Sequence, residues 1–215
     1  HPRLSAAQVA RVFAVMLLAA RHTFQALTKR ADNMRRTLTS PGFYRQVLDG
    51  ADAFRQDFPR LMGVGIGDPT KSPPANIWLG ASIENQAAAD LRIPDLLATP
   101  AAVRWLSVEP QVGPVVLRPE WLAGLHWVVV GGESGPGARP FDLGWARALA
   151  AQCRDAEVPC FVKQLGARPF ERANVVELAP AAQAGDIEAM MERSRILHAP
   201  VGWTRVTVAA TGVSE

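Results

Sequence analysis

The stretch LHWVVVGG, residues 125–132, decides the fold class of this sequence. Its apolar residues run without polar alternation and include three consecutive valines, a pattern typical of a strand that is covered on both faces of its sheet. Other strand-like segments alternate with segments of helical periodicity, and little hairpin chemistry lies between them. This alternation predicts an α/β protein with a parallel sheet.

The first helix is expected to begin after Ser5, because serine caps helix N-termini well. Asp142 is expected to cap another helix that runs to about Ala156. The face of the first helix that we expect to be buried consists of Val9, Val12, Phe13, Met16 and Leu17. The other predicted helices are 32–38, 43–58 and 85–98, and the predicted strands are 23–28, 76–82, 103–110, 125–132 and 160–164.

Two segments lack this alternation. Residues 63–76 contain too much glycine and proline for a helix or strand and are predicted to form a long loop. Beyond Gly166 the pattern weakens, and only a short helix near 187–194 and a strand at 204–209 are indicated. The residues leave two architectures open, a doubly wound sheet and a (β/α) barrel. Both place ligands at the C-terminal ends of their strands.

Every predicted strand ends in polar or charged residues, whereas the strand beginnings carry no such pattern. Glu84, Glu109, Glu133 and Lys163 are the candidate catalytic residues, because clustered carboxylates and a lysine can shift one another's pKa and move protons. An ion-pair ring that closes the top of the sheet explains them equally well. The candidate substrate-binding and anion-binding residues are Lys29, Arg30, Ser82, Asn85, Ser107, Gly131, Gly132, Ser134 and Gln164.

The composition limits the function classes. The formal net charge of +3 permits nucleic-acid binding without arguing for it. No apolar run approaches the length needed to cross a membrane, and two cysteines, Cys153 and Cys160, fit a reducing cytoplasm. Their spacing gives no zinc site, so we expect no metal in this chain. Because the first residue is His1, we expect that the chain begins inside a longer reading frame or was processed.

Six blocks of this sequence resemble a family of phage-encoded and bacterial proteins labelled as phage proteins of unknown function, of the gene-product thirty-seven/sixty-eight type. The most specific of them is GGESGPGARP (131–140), together with the later K-Q-x-G (163–166). The others, in order, are HPRLSAAQVARVFAVM, HTFQALTKRADNM, NIWLGASIENQ and AAVRWLSVEPQVGPV.

Complete members of that family begin with two further strands and a three-cysteine motif that resembles the cluster loop of radical S-adenosylmethionine enzymes. The resemblance therefore implies a partial (β/α) barrel over residues 1–166 and a C-terminal extension over 167–215 packed on it. It also implies a [4Fe–4S] cluster and S-adenosylmethionine for a full-length form only, since the cysteine motif is absent here.

Three hypotheses for the function follow. The first is a radical S-adenosylmethionine-like enzyme that acts on a nucleic-acid component and is inactive as this chain alone. The second is a non-catalytic binding or assembly module, in which a protein partner or a second copy covers the open barrel edge. The third and weakest is a nucleotide-binding hydrolase or transferase that uses the glycine-rich turn, which lacks a phosphate-loop lysine. A nucleic acid or nucleotide is the candidate ligand, and no membrane partner is expected.

Overall fold

The computed structural model of this chain describes residues 4–61, 65–69 and 71–171. The predicted elements at 187–194 and 204–209 lie outside these residues. The helices are α1 (Ala6–Leu18), α2 (Ala31–Leu38), α3 (Phe43–Asp57), α4 (Gln86–Leu97), α5 (Pro119–Leu122) and α6 (Leu143–Asp155). The strands are β1 (Phe24–Thr28), β2 (Ile77–Ile83), β3 (Val103–Val108), β4 (Trp127–Gly131), β5 (Phe141–Asp142), β6 (Cys160–Gln164) and β7 (Pro169–Phe170).

The α/β prediction is confirmed, because five strands form one parallel sheet in the order β1-β2-β3-β4-β6. Each of these strands pairs with the next long strand along the chain, and the order never reverses. A second, two-stranded sheet pairs β5 with β7. The sequence did not predict β5, β7 or α5, which are too short to show a periodicity. The predicted boundary between residues 166 and 167 stays a prediction.

One face of the large sheet carries the helices. Alternate strand residues such as Leu79, Leu106 and Val128 join the buried residues of α1, α2, α3, α4 and α6 in one apolar cluster. The opposite face, which we call the second face, carries Trp105 and Val129, which are buried without belonging to that cluster. The three valines of β4 are therefore buried on both faces of the sheet, as the unbroken run predicted.

The predicted buried face of α1 is wrong in part. Phe13 and Leu17 are buried, but Val12 is 50% exposed, and Ala10 and Ala14 are buried instead. A methyl group added to Gly50 of α3 would lie 3.3 Å from Ala14 Cβ, so the two helices meet through small residues. The sequence pattern gave weight to bulky residues and missed this close approach.

Two cap predictions are confirmed. Ser5 accepts a hydrogen bond from the Gln8 amide, and the Gln8 side chain accepts one from the Ser5 amide, which together form a capping box. Asp142 accepts from the Gly144 amide at 2.9 Å and begins α6. The region 65–69 and 71–76 contains neither helix nor strand, in agreement with the predicted loop.

Candidate functional site

The C-terminal ends of β2, β3, β4 and β6 meet at one edge of the large sheet. Ser82 and Ser107 are partners in the parallel register, and the next positions along these strands lead to Glu84 and Glu109. Between β4 and β6 the register shifts, so that Val130 pairs with Val162 but Gly131 pairs with Gln164. This irregularity gives β6 an extra residue at the edge, Lys163, and such irregularities often redirect side chains at functional sites.

Glu109 is the centre of this edge. Its Oε1 accepts a hydrogen bond of 2.6 Å from Gln164 Nε2, and its Oε2 lies 3.2 Å from Lys163 Nζ. Ser82 Oγ donates to the backbone carbonyl of Glu109 at 3.4 Å. The Glu109 side chain is only 17% exposed, so these contacts hold a largely buried carboxylate in place. Glu109, Lys163, Gln164 and Ser82 thus form one connected cluster, which we call the Glu109 cluster.

Gly131 allows this cluster to form. A methyl group added to Gly131 would lie 3.0 Å from Glu109 Oε1 and 3.1 Å from its carboxyl carbon. Gly131 ends β4, the strand between β3 and β6, so its missing side chain leaves the space in which Glu109 meets Lys163 and Gln164. A side chain here would crowd the Glu109 carboxylate, so the close approach favours glycine.

Glu84 forms a second group beside the first. Its carboxylate is paired with Lys29, and its Oε2 accepts a hydrogen bond from Arg92 Nη1 at 3.0 Å. Arg92 Nη1 also donates to the Ser82 carbonyl at 2.7 Å. The Glu84 side chain is 15% exposed and lies between a cation from the end of β1 and one from α4. This group joins three elements at the same edge.

Glu133 has a different environment. Arg139 donates to it from Nε at 2.7 Å, from Nη2 at 3.1 Å and from the backbone amide at 3.0 Å. These bonds lower the pKa of Glu133 to about 2, and the same pair raises the pKa of Arg139. A bidentate pair reinforced by a backbone bond holds the loop 133–139 in shape. The local geometry therefore favours a structural role for Glu133.

Gly132 is explained by packing against the loop after β6. A methyl group there would lie 2.5 Å from the carbonyl oxygen of Leu165, and one at Gly166 would lie 2.7 Å from the Glu133 carbonyl oxygen. Gly166 also has a φ of 75°, which favours glycine. Gly132 and Gly166 are thus needed because the loop after β4 and the loop after β6 are in contact.

The remaining predicted residues are placed as follows. Asn85 accepts a hydrogen bond from the Ala88 amide at 3.0 Å and caps α4. Ser134 Oγ donates to Gln164 Oε1 at 2.9 Å, so it supports the Glu109 cluster from outside. Ser107 is 6% exposed beneath the edge. Arg30 lies apart from the others, because it lines a cleft between α1, α2 and β1.

The sequence reasoning missed two cations. Arg92 lies eight residues after Glu84 on the helix that Asn85 caps, which is beyond the three- or four-residue spacing by which a helix brings side chains together, so the sequence did not indicate this contact. Arg139 contacts Glu133 across a loop, and no periodicity predicts such a contact. With both included, every strand-end carboxylate of the site has a cationic partner.

Neither a metal nor an iron–sulfur cluster fits the described residues. Among them, no group of histidine, cysteine and carboxylate side chains could hold a metal ion. Cys160 begins β6, at the opposite end of that strand from Lys163, and Cys153 is buried in α6. A hydrogen bond with Cys160, reinforced by burial, strongly raises the pKa of Cys153, which disfavours the thiolate that binds metals.

The family of this chain is shown by its sequence. The profile of a protein family of unknown function, DUF5131, matches residues 1–197, and the chain belongs to this family. No curated protein and no solved structure matches the chain. No helix in the part of the chain that the structure describes is both long and apolar enough to span a membrane.

Proposed function

We propose that this chain is the ligand-binding part of a partial (β/α) barrel enzyme that resembles radical S-adenosylmethionine enzymes, acts on a nucleic-acid component and works in the reducing cytoplasm. The Glu109 cluster holds polar groups of the substrate or cofactor. The observation that carries the proposal is the contact of Lys163 and Gln164 with Glu109 over Gly131. It concentrates charge at the edge where parallel α/β folds bind their ligands.

Two features support a barrel. The strand order β1-β2-β3-β4-β6 has no reversal, whereas a doubly wound sheet has a switch point at which the order reverses. In addition, side chains from β6 reach a residue after β3, two strands away. Strand ends that curve toward one another, as in a barrel, favour such a contact. Both features are expected of consecutive strands in a barrel.

The chemistry available to these residues is binding and proton transfer. Glu109 is a largely buried carboxylate that can accept hydrogen bonds from a hydroxyl or amino group, and Lys163 can neutralise an anionic group beside it. Glu84, between Lys29 and Arg92, can orient a second polar group. Glu133 has no part in this proposal, because the side chain and the backbone amide of Arg139 together bind this carboxylate into the loop 133–139.

An iron–sulfur cluster would have to be held by cysteines other than Cys153 and Cys160. Cys153 and Cys160 do not fit a cluster, since three closely spaced thiolates are needed and the pair lies away from the Glu109 cluster. No step is therefore assigned to the cluster in this chain. When bound, a cluster of this kind supplies the electron that cleaves S-adenosylmethionine.

The test uses a longer form of the protein that includes an upstream three-cysteine segment, reconstituted under anaerobic conditions with iron and sulfide. We expect bound iron, bound sulfide and cleavage of S-adenosylmethionine. The control variant replaces Cys153 and Cys160 with serine and is expected to retain the iron. A longer form that binds no iron would contradict the proposal.

A second candidate function, an assembly module, is favoured by the free edge of β1. On its outer side β1 has no strand partner among the described residues, and Leu27 of β1 is 47% exposed. Beside this strand lies a cleft of about 140 Å³ whose apolar lining includes Phe13 and Met34. An unpaired edge beside an apolar cleft is suited to pairing with a strand from a protein partner or a second copy.

The oligomeric state tests this second candidate. The chain of 215 residues is examined by native mass spectrometry, with Leu27→Arg as the edge variant. Leu91→Arg is the matched control, because Leu91 is 70% exposed on α4, away from the edge. A dimer that Leu27→Arg alone dissociates would support the module, whereas a monomer at all concentrations would exclude self-pairing.

A further inference from the structure

The two lysine ion pairs at the sheet edge share one arrangement, in which the carboxylate lies inside and the cation outside. The side chains of Glu84 and Glu109 are 15% and 17% exposed, whereas those of their partners Lys29 and Lys163 are 58% and 55% exposed. A ligand that approaches this edge from solvent therefore meets ammonium groups before it meets carboxylates.

The lysines differ from Arg139 in how their donors are used. An ammonium group has three N–H donors, and Lys163 directs one of them to Glu109. Arg139 instead directs its Nε, an Nη and its own backbone amide to Glu133. Although Arg139 is 54% exposed, its fork is already matched by a carboxylate. Two ammonium donors of Lys163 thus remain for a ligand at the Glu109 cluster, whereas the bidentate edge of Arg139 is committed to the loop 133–139.

The charge of the two groups favours an anion. Lys29, Arg92 and Lys163 carry three positive charges and Glu84 and Glu109 carry two negative ones, which leaves a net charge of 3 − 2 = +1. Because Glu84 and Glu109 follow neighbouring strands, roughly 5 Å apart, both lysines can lie at the same mouth. Two point-like cations above buried acceptors suit the tetrahedral, doubly charged phosphate group better than a planar carboxylate.

We propose that Lys163 and Lys29 bind the phosphate group of the ligand, and that Arg139 takes no part. This inference rests on the proposed ligand site at the strand ends but not on radical chemistry. It names the substrate class as phosphorylated compounds, with the hydroxyl or amino groups of the same ligand facing Glu109.

The test is calorimetric titration of the 215-residue chain with inorganic phosphate at constant ionic strength. We expect saturable binding with a dissociation constant of about 1 mM or below, which Lys163→Gln weakens about tenfold, the loss typical of one charged hydrogen bond. Arg139→Gln is the control, since Arg139 is about as exposed as Lys163 and also pairs with a carboxylate, that of Glu133 after β4. It is expected to leave the affinity unchanged.

Titrations of two further variants and of a second ligand test the same site. Lys163→Arg keeps the charge and should restore most of the affinity, and Lys29→Gln gives a second loss if Lys163→Gln fails to fold. If methyl phosphate competes with phosphate, the site binds phosphate esters. If phosphate binds but methyl phosphate does not compete, the site binds the free anion. No saturable binding, equal affinity for acetate, or equal losses in Lys163→Gln and Arg139→Gln would overturn the inference. The phosphate titrations contain no iron, so their outcome does not depend on whether a longer form of the protein cleaves S-adenosylmethionine.

Discussion

Gln164 Nε2 donates to Glu109 Oε1 at 2.6 Å, although the strands that carry these residues to the edge, β6 and β3, are separated by β4. Gln164 also donates to the Gly132 carbonyl at 3.2 Å and accepts from Ser134. One amide thus links the ends of three strands and a loop. The stability of the edge should depend on it.

We expect Gln164→Leu to lower the free energy of unfolding by about 1–3 kcal/mol, because Glu109 and Gly132 lose a hydrogen-bond partner at a half-buried position. Gln56→Leu, an exposed glutamine on α3, is the control and should change stability by less than about 0.5 kcal/mol. Urea unfolding measures both. Similar values for the two variants would show that the link contributes nothing.

Gly132 should tolerate no side chain. We expect Gly132→Ala to destabilise the protein by about 1–3 kcal/mol, because the added methyl would lie 2.5 Å from the Leu165 carbonyl oxygen. Gly113→Ala is the control, since its methyl would meet only Asn85 Cβ at 3.5 Å. Thermal unfolding compares the two. The same clash means that loss of nucleotide binding in Gly132→Val would report on folding, so it could not identify a glycine-rich phosphate loop.

The Glu133–Arg139 pair should make stability depend on acid pH. Arg139 lowers the pKa of Glu133 from its ordinary 4.5 to about 2 in the folded protein. The folded pKa is the lower one, so the unfolded chain binds the proton first, and the contribution is complete above about pH 5 and lost as the pH falls toward 2. We expect the difference in unfolding free energy between the natural chain and Glu133→Gln to shrink across this window. A difference that stays constant from pH 6 to about 2 would contradict the assignment.

Gly80 and Trp105 should be coupled. A methyl at Gly80 would lie 2.6 Å from Trp105 Nε1, because the indole lies over the glycine on the neighbouring strand. We expect Gly80→Ala to cost about 1–3 kcal/mol in the natural background. In a Trp105→Leu background the same change should cost less, since the smaller side chain leaves room for the methyl. Chemical unfolding of the four proteins gives the coupling, and additive effects would exclude it.

Much of the fold could be predicted because hydrophobic periodicity and helix-capping residues are local properties of the sequence. The segment 160–164 was predicted with the bounds of β6, and the caps Ser5 and Asp142 are confirmed. The burial of Ala14 in α1 could not be predicted, since it depends on the close approach of Gly50 in another helix. The strands predicted at 103–110 and 125–132 were longer than β3 and β4, because the sequence does not show where a strand stops pairing with its neighbour.

The site could be predicted only as a set of strand ends. Parallel strands bring their C-terminal residues to one edge, so Glu84 and Glu109 were found from position alone. The difference between Glu109 and Glu133 depends on which cation reaches each carboxylate. Arg139 reaches Glu133 through a loop, and this contact exists only in three dimensions.

The consecutive strand order also has a consequence for how the protein grows. Since each long strand pairs with the one before it, a strand–helix unit can be added to or removed from either end of the sheet without rethreading the rest. Contacts between units that follow one another in the chain also close loops of moderate length, which favours folding in steps from one unit to the next. Sequences of this architecture can therefore vary in length at the β1 margin while the Glu109 cluster, which is built from β2, β3, β4 and β6, stays assembled.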